Sequence, residues 1–155
     1  MFGSSTTERD AREFWNQKEK EKGGTVGFYT FATFLGRSND KTVSLGGLIY
    51  TIDDTVYFED FEKDSWLAKL FTRKNSYEKT EFSFPIKDIA EVKIVSKNSA
   101  YSCASGYLED TNTKPFSKIM SILFQSAVQI RLKRGGSLFF DIMRSKDFIN
   151  ALKIK

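Results

Sequence analysis

The stretch Val43–Phe58, VSLGGLIYTIDDTVYF, constrains the fold of this chain more than any other. It reads as two alternating strands folded back at Asp53-Asp54, residue types suited to a tight turn. Leu48, Tyr50 and Ile52 fall on one parity and Val43 and Leu45 on the other, with Gly46-Gly47 between the sets. A bulge at the glycine pair would add one residue and bring both sets to one face. Thr55–Asp60 continues the alternation, Val56 and Phe58 to one side and Tyr57 to the other. A lone hairpin is marginal in water, so the rest of the chain must add strands or a covering helix.

The remaining segments supply both. Thr25–Leu35 is dense in β-forming residues and carries aromatics on both parities, which predicts a strand covered on both faces. Lys79–Phe84 alternates Phe82 and Phe84 and stops at Pro85. Ala90, Val92 and Ile94 alternate with Glu91 and Lys93, a strand half in water. Val128, Ile130 and Leu132 alternate with Gln129, Arg131 and Lys133, a one-sided strand. The Arg134-Gly135-Gly136 turn leads to a partner strand carrying Leu138, Phe140 and Ile142. Ser145 caps a last helix with Phe148, Ile149 and Leu152 on one face. The sum is mainly β (α+β): seven antiparallel strands and a C-terminal helix. At 155 residues with fifteen Phe, one domain with a substantial core is expected.

Three segments stand outside this pattern. Ser5–Lys22 is polar and helix-forming, ends at Gly23-Gly24, and has only Ala11, Phe14 and Trp15 as apolar residues. Residues 1–24 therefore read as a polar helix preceding a barrel domain over 25–155. That helix is either solvated and pinned by its aromatic pair, or a docking helix that offers the pair to a partner. Trp66, Leu67, Leu70 and Phe71 share one helical face, with Arg73 and Lys74 directly after. Residues 98–124 read as an insertion. Ser96–Lys114 is rich in Ser, Asn and Thr, a long loop with room for a short strand around Ala100–Leu108. Pro115–Phe124 then matches a helix through Phe116, Ile119, Met120 and Leu123.

Composition argues against most chemistry. There is no histidine, which removes Ser-His-Asp and Cys-His catalysis. The single cysteine, Cys103, can form neither an internal disulfide nor a zinc site and reads as a small residue in a Ser/Ala-rich segment. Asp53-Asp54 is turn chemistry, Glu59-Asp60 ends a strand, and no phosphate-cradling glycine loop is present. No catalytic residue, metal site or cofactor is expected. The net charge of +4 is spread over interleaved Lys and Glu, and the small cluster Arg131, Lys133 and Arg134 beside Phe139 and Phe140 does not amount to a nucleic-acid surface. Neither a secretory leader nor a membrane-spanning run is legible, so the cytoplasm is the expected compartment, with peripheral attachment to the inner membrane face as a variant.

Several turns resemble those of the pleckstrin-homology (PH)-like superfamily, in its GRAM-like or bacterial form. Gly47-Leu48-Ile49-Tyr50-Thr51 leading to Val56-Tyr57-Phe58 is similar to the GRAM-like hairpin. Phe84-Pro85-Ile86-Lys87-Asp88-Ile89 resembles the step that follows it, and Arg134–Phe140 resembles the last hairpin. The resemblance implies a partly open seven-stranded barrel with its apolar mouth closed by Phe148, Ile149 and Leu152. It also implies a non-enzymatic binding module. The apolar segments either pack on the barrel and enlarge its core or make the expected contacts, through Trp66, Leu67, Leu70, Phe71, Arg73 and Lys74 and through Phe116, Ile119, Met120 and Leu123. They would meet a protein partner or an anionic membrane surface, or pair two copies of the chain as a homodimer. A phosphoinositide or other anionic headgroup would instead be met by Arg37 and Lys41 in the loop after the first strand.

Overall fold

Phe34, Phe58, Phe82 and Phe140 come from four different strands and meet ring to ring, with centroids 5.0–6.2 Å apart. The sheet that brings them together is seen in the computed structural model, which describes residues 2–61, 80–119 and 125–152, with residues 2–7 by backbone alone. The elements run α1 (Phe2–Lys22), β1 (Val26–Arg37), β2 (Thr42–Ile52), β3 (Thr55–Asp60), β4 (Glu81–Pro85), β5 (Ile89–Ser96), α2 (Lys97–Ala104), β6 (Ser126–Leu132), β7 (Ser137–Ile142) and α3 (Ser145–Leu152). The seven strands form one antiparallel sheet in the order β4-β3-β2-β1-β7-β6-β5, curled into a half-barrel.

Its concave face carries the main core. Phe34, Ile49, Val56, Phe58, Phe84, Val128, Ile130, Leu138 and Phe140 are buried there, and Phe148 and Leu152 of α3 close it, with Ile149 packed alongside. The expected seven strands and closing helix are therefore present. The turn at Asp53-Asp54 is present too, with Asp53 at φ 50°, a conformation that Asp tolerates better than most residues.

The glycine pair is not a bulge. β2 pairs with β1 in unbroken register from Leu45 to Thr51, and the register shifts lie to either side, between Val26 and Phe28 of β1 and where Phe34–Gly36 meets Leu45–Thr42. The two apolar sets of β2 consequently stay on opposite faces. Val43, Leu45 and Ile49 join the core, while Leu48 and Tyr50 face outward. Gly47 is needed for a different reason. A Cβ there would strike the Glu59 carbonyl of β3 and lie 2.9 Å from the Asp60 Cα.

The outer face is apolar because two helices lie on it. Trp15 of α1 meets Tyr29 and Tyr50 at ring-centroid distances of 4.4 and 5.2 Å. α1 thus packs on the outside of β1 and β2, pinned by Trp15. On the other side, Ala100 and Cys103 of α2 bury Leu35, Val95, Ala127 and Phe139 in a second cluster. α2 replaces the expected loop and short strand. Ser96 caps it by accepting from the Ser99 N–H at 3.1 Å, and Ala100, Cys103 and Ala104 form its buried stripe. β6 is not one-sided either: Gln129 is fully buried and bonds Asp110, Thr113 and Ser137. Those bonds hold the segment after α2 against the sheet.

The stretch Pro115–Ile119 is not helical. The Phe116 N–H donates to the Ile94 carbonyl at 2.8 Å, which draws the chain along the β5 edge instead.

Candidate functional site

Between α1 and α2 the outer face of the sheet keeps a strip that neither helix covers. Register places its residues. Phe31 of β1 stands opposite Leu48 of β2, and Thr33 opposite Gly46, so all four share the outer face. Asp141 of β7 stands opposite Thr33, and the Met143 N–H donates to the Phe31 carbonyl. Phe61, just past β3, donates its N–H to the Gly46 carbonyl and sets its ring 5.8 Å from that of Phe31.

The strip is a groove with two compartments that share Phe31 and Met143. One, of about 360 Å3, lies between Phe31, Phe61, Met143 and Asp141 over Thr33, Gly46 and Gly47. Gly46 forms an open notch in its floor, since no atom lies within 4 Å of where a Cβ would sit. The other, of about 380 Å3, lies between α1 and the sheet, walled by Phe14, Trp15, Tyr29, Phe31, Leu48 and Met143, with Arg144 at one side. Met143 is 67% exposed, Phe31 57% and Phe61 43%. Isolated exposed apolar residues are ordinary, but here they adjoin one another.

One wall of the groove depends on the seating of α1. Lys18 reaches Glu59 of β3 at 2.9 Å, and the Tyr50 hydroxyl donates to the same carboxylate at 3.2 Å. Lys22 bonds Glu81 at 2.9 Å, which holds its ammonium above its usual range, and lies over the Tyr57 ring. The groove itself gathers no converging set of titratable groups. Among the described residues no group of three His, Cys, Asp or Glu could hold a metal ion.

The residues expected to make contact are distributed otherwise. Trp66, Leu67, Leu70, Phe71, Arg73 and Lys74, with Met120 and Leu123, lie outside the described residues. Phe116 is half-buried and Ile119 is 75% exposed, and neither lines the groove. Arg37 stacks over Phe82 at 4.9 Å, and Lys41 is exposed. In the loop between them, the Asn39 and Asp40 N–H groups donate to the Cys103 and Ala104 carbonyls at the end of α2. Those two donors are therefore engaged within the fold. Phe139 and Phe140 are fully buried, so neither can stack on a base. Among the described residues no helix is long and apolar enough to cross a membrane.

Residue periodicity marked Phe31 as a β-former but could not mark it as exposed. The aromatics on both parities of β1 were the available signal, since two helices cover less of the outer face than those aromatics span.

No family model matches the chain, and no curated protein matches it. Among solved structures it is similar to the C-terminal domain of an unknown protein from Leishmania infantum, at 10% identity. The similarity covers 92% of this chain and 93% of that one, with a TM-score of 0.49.

Proposed function

We propose that the chain is a non-enzymatic binding module of PH/GRAM-like type that docks an apolar segment of a protein partner in the groove between α1 and α2. One observation carries this reading: Phe31, Phe61 and Met143 stand exposed together around a glycine notch. An apolar side chain entering the notch buries surface on three sides, each 100 Å2 removed from water favouring the complex by about 2.5 kcal/mol before ordering costs. The strand order and the closing helix are in keeping with a PH-like scaffold.

Selection of a displayed random peptide library on the purified chain tests the reading. The expected outcome is an enriched consensus with an apolar anchor, whose binding drops at least tenfold in Phe31→Glu. A library that enriches nothing, or a consensus indifferent to Phe31→Glu, rejects it. Co-sedimentation with anionic vesicles that disappears in Phe31→Glu would move the surface to a membrane.

A further inference from the structure

Trp15, Lys18 and Lys22 lie at i, i+3 and i+7 and form one stripe along α1. The sheet beneath answers each of them. The Tyr29 and Tyr50 rings meet Trp15, Glu59 meets Lys18, and Glu81 with the Tyr57 ring meets Lys22. Among the described residues neither core cluster draws a residue from α1, so the seat is built by the sheet alone. Vacating it uncovers Tyr50, which is fully buried, and takes the ammonium from Glu59. A glycine pair joins the helix to the sheet. Gly23 stands at φ 73°, and no atom lies within 4 Å of where its Cβ would sit. Just beyond the pair the chain is fixed: the Thr25 N–H donates to Asp53 Oδ1 at 3.1 Å, and the Thr25 carbonyl accepts from the Asp53 N–H at 3.0 Å.

We propose that the seat of α1 is an interaction surface for a second copy of the chain, and that two copies exchange their N-terminal helices. Each α1 pivots at Gly23-Gly24 and lies on the other copy's sheet, where its stripe finds the same rings and carboxylates. Helix and seat are identical in both copies, so every contact of the stripe is made again. Each copy gives one helix and takes one, so the pair closes as a two-fold dimer. A two-residue link presents a chain's own α1 to its seat at roughly millimolar effective concentration, so the closed monomer prevails in dilute solution. The hinge sets the balance between the two forms. α1 reaches its own seat through the left-handed backbone at Gly23, and a right-handed residue there redirects the helix.

Sedimentation velocity on the full chain tests the exchange. Gly23→Ala disfavours the left-handed backbone, meets no atom, and touches neither stripe nor seat. It is expected to tighten the dimer about tenfold or more, and adding Trp15→Ala should return the chain to monomer. Lys18→Glu and Glu59→Lys give a second, independent reading. Each variant alone sets like charges between helix and seat, both in the closed form and in exchange with itself. Mixed, only reciprocal exchange between the two places opposite charges in both seats. A one-to-one heterodimer should therefore appear on mixing and in neither solution alone, and circular dichroism melting checks that each variant is folded. A Gly23→Ala chain that stays monomeric overturns the proposal, as does a dimer indifferent to Trp15→Ala. Folded charge variants that stay monomeric when mixed overturn it too. None of these outcomes touches the docking reading of the groove.

Discussion

Glu59 is a carboxylate on the outer face of the sheet that water scarcely reaches. Its side chain is 6% exposed and that of its partner Lys18 is 13% exposed. Lys18→Ala takes the ammonium from a buried carboxylate that keeps the Tyr50 hydroxyl, and is expected to destabilise by about 3 kcal/mol. Replacing both, as Lys18→Met with Glu59→Leu, should recover most of that loss in urea unfolding. Tyr50 shares the same carboxylate. Its burial, followed by the Glu59 charge and hydrogen bond, raises its pKa far above the ordinary value. Such a group contributes stability that is whole below the unfolded pKa, about 10, and is lost as pH rises toward the folded value. Stability should therefore decline from about pH 10 upward, and Tyr50→Phe should flatten that slope. Cys103 offers a third check. Burial pushes its thiol up to about 11, so an aromatic disulfide reagent at pH 8 should react only as the chain opens. Rapid labelling of the native protein would contradict the packing of α2.

At the scale of elements, the two adjacent glycines of β2 behave differently. Gly47→Ala must displace the backbone of β3 and is expected to cost at least 2 to 3 kcal/mol, an overpacking penalty. Gly46→Ala meets nothing within 4 Å and should be neutral or mildly stabilising, while narrowing the notch. Thermal melts of the pair decide the matter, and equal losses would contradict the close approach of β2 and β3. The glycine pair was legible in sequence as special but not as a close approach, because a bulge and a crowded strand both call for glycine. α2 was hidden for another reason. Its stripe is made of Ala100, Cys103 and Ala104, which carry little hydrophobic signal, and Ser and Asn around them are weak helix formers. Small residues are what let the helix lie close on Leu35 and Phe139. The strands were legible because Phe82, Phe84, Val128, Ile130, Leu138 and Phe140 alternate against one concave core.

The whole molecule is a curled sheet whose two faces are both apolar but differently closed. Among the described residues the concave face is closed by its own side chains and α3, and the convex face is covered by α1 and α2. α1 is mostly polar and held by Trp15, Lys18 and Lys22, with the Val26 N–H donating to Glu19 at 3.1 Å. It is therefore expected to open before the sheet does, with hydrogen exchange in α1 faster than in β1, β2 and β7. Trp15→Ala should accelerate exchange in α1 further while barely changing the β7 amides. Uniform protection across α1 and the sheet would contradict this. The groove was illegible in sequence because it is what remains after two helices are placed. Neither helix position can be read from the strands alone, so no residue-level pattern announces the gap.

The strand order also bears on how the protein is made. β1 sits at the middle of the sheet, and its second neighbour is β7. The Ser137 N–H meets the Ser38 hydroxyl across 99 residues of chain. During synthesis the first hairpins can pair as soon as they leave the ribosome, but one side of β1 has no partner until the last hairpin follows. For several seconds of translation, at about 5 to 20 residues per second, that bare flank is open to strangers. A nascent chain stalled before Ser137 should therefore be held by chaperones, and one stalled well past Leu152 released.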